Sequence, residues 1–490
     1  MASPNSADEK RVLDAVPKQL FIGGAWRDSS SGATLDIEDP STESALCAVA
    51  DGTPADAKSA LDAACHAQAD WAATPPRDRG EILRRTFELM NKRADDLALL
   101  MTLEMGKPLA ESKSEIVYAA EFLRWFAEQA VRIDGRYAVN PNGSGRLLTM
   151  KAPIGPCLLI TPWNFPTAMG TRKIGPAIAA GCTMVVKPAQ QTPLSMLMLA
   201  QILTDVGLPA GVLNVVPTSS ASATTAPLFR DSRLRKVSFT GSTPVGKRLM
   251  EQSAHSLLRM SMELGGNAPF LVFADADIDA AVDGAMIAKM RNMGESCVAA
   301  NRFHVQASVA EEFSAKLAAR MAKQSVGRGT EPGIDVGPLI DENQRGKVRE
   351  LVDDAVSKGA TVVTGGSAPV GPGYFYTPTV LADVPAGAEL LREEIFGPVA
   401  PIATFEDESD AMAAANDSEF GLVAYVYTEN LKRGLRVVEG LEVGMVGLNR
   451  GLVSNAAAPF GGIKESGFGR EGGYEGIQEY LSVKYVAVDL

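Results

Sequence analysis

Between residues 157 and 254 the chain alternates short β-branched apolar runs with helical stretches. No other feature constrains the fold as tightly. CLLIT (157–161), CTMVVK (182–187), VLNVV (212–216) and KVSF (236–239) are apolar at almost every position. A strand reads this way when helices cover both faces of its pleat. TRKIGPAIAAG and PLSMLMLAQILTDVG carry helical spacing in the intervals. Parallel strands joined by helices predict a doubly wound, nucleotide-binding α/β sheet.

A second alternating set begins at about residue 268. APFLVF, RFHV, ATVVTG, VAPIATF, LVAYVYT and GMVGLN read as strands. A long helix to about Met293 and helices over 309–325 and 343–358 separate them, which predicts a second α/β domain. The first third reads as helices instead, over 55–72 and in EILRRTFELMNKRADDLALLMTLEMG and ESKSEIVYAAEFLRWFAEQAVRI. In GRYAVNPNGSGRLLTMKAP (135–153), two β-prone runs flank Asn142-Gly143, a hairpin signal. The β-prone tail LSVKYVAVDL could pair with that hairpin, in the same subunit or a neighbour.

Composition narrows the function. Lys and Arg total 47 against 59 Asp and Glu, a net charge of −12, with no basic cluster to meet nucleic acid. No apolar run is long enough for a membrane span, and the N-terminus resembles neither a signal nor a transit peptide. A cytoplasmic protein is expected. The five cysteines and three histidines are scattered, with no C-x-x-C pair. That argues against a disulfide framework, a metal site and histidine catalysis.

Three short stretches carry possible chemistry. GESCVAANR (294–302) holds Cys297, which could be a nucleophile or a small packed side chain. MELGGNAPF (262–270) holds Glu263, a buried general base with a raised pKa or a solvated residue at a strand end. ITPWNFP (160–166) puts Asn164 just past a strand, where ligands sit in open α/β sheets; its amide could steady an oxyanion or simply close a turn. The loop FTGSTPVGK (239–247) joins a strand to a helix, where free amides suit a pyrophosphate, and Gly241 and Gly246 would let a ligand approach. Gly241 to Lys247 also fits the start of a P-loop. Arg248 then stands where magnesium needs Ser or Thr, which argues against an ATPase. Taken together, Asn164, Glu263 and Cys297 make an acyl-transfer set, and a dinucleotide fold would turn acyl transfer into oxidation.

PWNFP, KPAQQTP, FTGSTPVG, ELGG, GESC, EEIFGPV and PFGGIKESGFGRE fall in one order along nearly the whole chain, and Glu263 lies 34 residues before Cys297. In these motifs the sequence resembles the aldehyde dehydrogenase superfamily. The resemblance implies Cys297 as the nucleophile that forms a thiohemiacetal and then a thioester. It implies Glu263 as the base that activates water, and the amide of Asn164 with the backbone N–H of Cys297 as the oxyanion site. Trp163, Lys187, Gly241, Ser242, Glu394 and Phe396 match cofactor-contact positions. It also implies a cofactor domain over 1–134 and 152–261, a catalytic domain over 262–450, and a β oligomerisation arm over 135–151 and 474–490. Residues 451–473 would return to the cofactor domain, and the protein would be a dimer or tetramer.

Three positions depart from the family pattern. Glu295 replaces the usual glutamine of GQTC and would put a negative charge near the thiol, raising its pKa. Ala299 stands where many relatives have a second cysteine, so no local disulfide is available. Gln190 replaces a glutamate frequent in NAD-preferring members; a neutral side chain does not repel a 2′-phosphate, which leans the cofactor from NAD towards NADP. Arg172, Arg291 and Ser454 match positions that hold the substrate carboxylate in members acting on succinate semialdehyde. Guanidinium and carboxylate pair well. The expected substrate is therefore an aldehyde with a distal carboxylate, glutarate semialdehyde being the alternative. One methylene discriminates by only ~1–3 kcal/mol. A catalytically silent relative is a further alternative, and the intact Cys297, Glu263 and Asn164 argue against it.

Overall fold

The computed structural model describes residues 6–489. Its largest sheet has eight strands, and the five at its centre are parallel. These are Leu213–Val215, Met184–Lys187, Cys157–Ile160, Lys236–Thr240 and Arg259–Glu263, in that spatial order. The chain builds outward one way from Cys157–Ile160, then returns to its other side with Lys236–Thr240. A crevice opens where the order reverses, at the carboxyl ends of those two strands. The Trp163-Asn164 loop leaves one end and the Gly241-Ser242 loop the other. Cys157–Ile160, Met184–Lys187 and Lys236–Thr240 are wholly buried because helices Ala168–Ala180, Leu194–Asp205 and Thr243–Ala254 follow them. The edges were not foreseen. Leu20–Ile22 pairs antiparallel with Leu213–Val215, and Gly467–Phe468 pairs antiparallel with Arg259–Glu263.

The second sheet has seven strands. Ala268–Val272, Ala300–Gln306, Val399–Phe405, Thr379–Ala382, Val423–Tyr427 and Met445–Leu448 run parallel, and Thr361–Thr364 closes one edge antiparallel. Thr379–Ala382, short and beside a proline, escaped the sequence reading. The first sheet extends through Glu263 and the second begins at Ala268. The crossing therefore lies just beyond the division expected at 262, because Met262 and Glu263 pair with Phe239 and Thr240.

The helical first third breaks where one helix was expected, into Pro76–Lys92 and Ala94–Met105 about Arg93. The helix expected to reach Met293 ends at Met290. The hairpin Arg136–Val139 and Arg146–Pro153 forms as predicted, and Leu481–Val488 joins it within the same subunit as a three-stranded sheet. No helix among the described residues is long and apolar enough to cross a membrane.

Candidate active site

The crevice at the switch point is lined by residues from both sheets. Its inner part, a cavity of about 230 Å³, brings together Cys297, Glu263, Asn164, Trp163, Gly241, Ser242, Glu394 and Phe396. Its outer part, about 470 Å³, contains Lys187 and Gln190 and shares the Trp163 and Gly241-Ser242 walls. Arg172, Arg291 and Ser454 line neither.

Cys297 follows an unusual turn. Asn292 and Met293 have φ of 55° and 54° and Gly294 has φ 79°, three successive left-handed residues. Non-glycine residues there cost about 1–3 kcal/mol each and persist only where surroundings enforce them. Asn292 shows how. Its Nδ2 donates to the carbonyls of Glu295 (2.8 Å) and Asn164 (3.1 Å), and its backbone N–H donates to Glu111 Oε2 (2.6 Å). The amide therefore clips the nucleophile loop to the Asn164 loop. Lys107 Nζ holds the same Asn164 carbonyl at 2.7 Å while pairing with buried Glu115. Asn164 Nδ2 donates to the carbonyl of Glu295 (3.0 Å).

Burial pushes the Cys297 thiol up to about 12, and Arg172 and then Arg291 oppose the shift. Glu394 and Glu263 reinforce it. Glu295 is not among the charges acting most strongly on the thiol, contrary to expectation. Its Oε1 accepts from the backbone N–H of Ile340 at 3.0 Å. Burial raises its pKa well above the usual carboxylate range. Turned towards the Ile340 backbone, this carboxyl is not the group that most raises the thiol.

Glu263 is 3% exposed, and neither carboxylate oxygen has a hydrogen-bond partner. Burial and then Glu471 raise its pKa well above the ordinary range, against Arg172 and Lys173. The backbone passes so close at Gly461 (φ +154°) that a Cβ there would lie 2.8 Å from Oε1. Gly241 and Gly246 have a reason beyond the one expected. Added Cβ atoms would meet the Phe239 ring and Leu264, both at 2.5 Å. Packing within the protein is thus a further reason for these two glycines.

Arg172 is 2% exposed and already engaged. Its Nε lies 3.0 Å from Glu471 Oε2, and its guanidinium stacks on Phe460 at 3.8 Å. Arg291 lies over the rings of Phe165 and Tyr118, and its Nη1 donates to Ser454 Oγ at 3.3 Å. The structure thus joins Arg291 to Ser454, whereas Arg172 shares its charge with a carboxylate. On the other side of the cavity, Glu394 Oε1 accepts from the Gly266 N–H at 3.3 Å, and burial raises this carboxyl to about 7. Phe396 meets Trp163 edge to face, with centroids 5.4 Å apart. Burial lowers Lys187 to about 8.

Sequence reasoning missed several groups. Lys173 Nζ donates to Thr240 Oγ1 (2.7 Å) and Ser238 Oγ (3.2 Å) and pairs with Glu471. Gln344 Nε2 donates to the carbonyls of Ile395 and Phe396 (3.0 and 2.8 Å), fixing the loop of Glu394. The adjacent charges Arg172-Lys173 and Arg470-Glu471, set among small apolar residues, were the only sign of the former cluster.

A parallel α/β crevice beside a cysteine, a partnerless buried carboxyl and an amide has the parts that an oxidoreductase working through a covalent thiol adduct needs. The sequence profile of the aldehyde dehydrogenase family matches residues 26–486, and the chain belongs to that family. A succinate-semialdehyde dehydrogenase of Paenarthrobacter nicotinovorans is 62% identical over 443 residues, 90% of this chain and 98% of its own. A glutarate-semialdehyde dehydrogenase of Pseudomonas putida is 51% identical over 96% of this chain and 98% of its own. A crystal structure of an NADP-dependent enzyme of Escherichia coli is 50% identical and superposes with a TM-score of 0.96, covering 97% of this chain and 99% of that one.

Proposed function

We propose that this enzyme, an NAD(P)-dependent aldehyde dehydrogenase, oxidises succinate semialdehyde to succinate. The observation that carries this reading is a pair of guanidiniums, Arg291 joined to Ser454 and Arg172 paired to Glu471, beside the cysteine loop. An uncharged aldehyde has no use for two cations beside its reacting carbon, whereas a short semialdehyde brings its carboxylate within their reach. The likeness to succinate-semialdehyde dehydrogenases agrees, and glutarate semialdehyde is the nearest second substrate.

In this reading Cys297 Sγ loses its proton and bonds to the aldehyde carbon, giving a thiohemiacetal. The oxyanion is met by the Asn164 amide and the Cys297 backbone N–H. Trp163, Gly241, Ser242, Glu394 and Phe396 would hold the nicotinamide half of the cofactor, and Lys187 the adenosine ribose. NAD(P), when bound there, would supply the oxidant that accepts a hydride, which leaves the Cys297 adduct at the thioester level. Glu263 then removes a proton from water, which adds to the thioester carbon. The carbon–sulfur bond breaks, freeing the acid and the thiol.

We read the cofactor as NADP on the lining of the outer cavity. Lys187 and Arg248 line it, and no carboxylate does among the described residues. A cavity with two cations in a protein of net charge −12 suits an additional phosphate. Gln190→Glu should lower kcat/KM for NADP by about 10-fold or more with little loss for NAD, because a carboxylate would face the 2′-phosphate. Initial rates with each cofactor check this. The arm sheet exposes Tyr137, Val139, Val483 and Tyr485, and such a patch suits a second copy of the chain, so we read the enzyme as a homo-oligomer. Light scattering after size exclusion tests that.

The functional test is the initial rate of wild type with succinate semialdehyde, glutarate semialdehyde and butanal. The reading expects kcat/KM to fall in that order. Equal rates for butanal and succinate semialdehyde would overturn it.

A further inference from the structure

Two buried donors near the arginine pair have nothing to donate to. Tyr118 Oη is buried without a hydrogen-bond partner, and so is Arg172 Nη2. Tyr118 projects from helix Leu109–Gln129, remote in sequence from every motif of the site. Its ring lies under the Arg291 guanidinium, with Cζ 5.5 Å from the centroid. It also meets Phe122 edge to face at 5.0 Å, and the Arg172 guanidinium lies 5.5 Å from that same Phe122 ring. Tyr118 and Ser454, the hydroxyl that Arg291 contacts, line one groove of about 650 Å³ that opens to the surface. The charges of Arg172 and Arg291 in turn reach the Cys297 thiol. Tyrosine hydroxyls buried in proteins are nearly always bonded, because an unmet one forfeits its bond to water. A phenol against one guanidinium, and one ring away from a second, meets that need by donating to an anion both cations attract.

We infer that Tyr118 is a substrate-binding residue, its hydroxyl donating a hydrogen bond to the distal carboxylate of the aldehyde beside Arg172, Arg291 and Ser454. This rests on the proposed substrate class. Arg172 is partly neutralised by Glu471. The uncharged Tyr118 donor therefore adds to carboxylate recognition without further cationic charge. It also selects for shape, because a hydroxyl at a set height favours one chain length over another.

The test is Tyr118→Phe, which removes one oxygen and keeps the ring against Arg291 and Phe122. KM for succinate semialdehyde should rise about 10-fold or more, the usual effect of losing a hydrogen bond to a charged group. The inhibition constant of the product succinate should rise in parallel. Butanal turnover and the melting temperature should stay as in wild type. A variant that loses butanal and succinate semialdehyde turnover equally, or binds succinate as wild type does, would overturn the inference. If wild type itself fails to prefer the carboxylated aldehyde, the substrate reading falls instead, which the same measurements separate. Tyr118→Ala, which also removes the ring, should be worse than Tyr118→Phe on succinate semialdehyde; equality would point to packing and count against the hydroxyl.

Discussion

Cys297→Ala should abolish aldehyde oxidation, with a fall of at least about 10⁴-fold in kcat while cofactor binding persists. No other cysteine can replace it. Cys157 and Cys182 are buried in the first sheet and its helix connection, and Cys47 and Cys65 lie outside the crevice. The thiol's environment adds a second, sharper expectation. With burial raising it to about 12, little of the enzyme carries a thiolate at neutral pH. Alkylation of the free enzyme by iodoacetamide should therefore be slow at neutral pH. It should quicken about ten-fold per pH unit, since the reactive form appears only as pH climbs towards 12. A plateau reached below pH 9 would show that the arginines outweigh burial.

Glu263→Gln has the second largest expected effect, a loss of about 10²–10⁴-fold in kcat. The glutamine keeps the shape under Gly461 and removes the base. Acylation consumes one equivalent of cofactor and deacylation needs the base, so the variant should show a burst of reduced nicotinamide followed by a nearly flat trace. The sign of the pH dependence follows from the shift. A base works deprotonated, and burial and Glu471 raise the pKa of this carboxyl. Wild-type kcat should therefore rise with pH through that raised value, well above 4.5, and be lost as pH falls below it. In Glu263→Gln that slope should vanish. Stopped-flow absorbance reads both effects; a variant with no burst and an unchanged slope would place the base elsewhere.

Much of this was legible in the residues. The apolar runs at 157–161, 182–187, 212–216 and 236–239 marked buried parallel strands, since a strand covered on both faces has no polar side to display. Loops at the carboxyl ends of the first and fourth of these runs therefore had to share a crevice, and the crevice holds Trp163, Asn164, Gly241 and Ser242. Asn142-Gly143 marked the hairpin for an equally local reason, the backbone preference of two residues.

What escaped was whatever depends on partners remote in the chain. Glu295 looked like a charge beside the thiol, yet its carboxyl meets the Ile340 backbone. Arg172 looked like a free cation, yet Glu471 arrives through the return segment. Gly241 and Gly246 looked like a ligand cradle, and their tight packing against Phe239 and Leu264 could not be read from the loop. Periodicity and turn chemistry act over a few residues, so the elements, their order and the kinds of reactive group could be read from the chain directly. Which groups are buried, which are engaged and which line the cavity depends on the fold. Burial and ion pairing arise between residues hundreds of positions apart, and no local pattern encodes them.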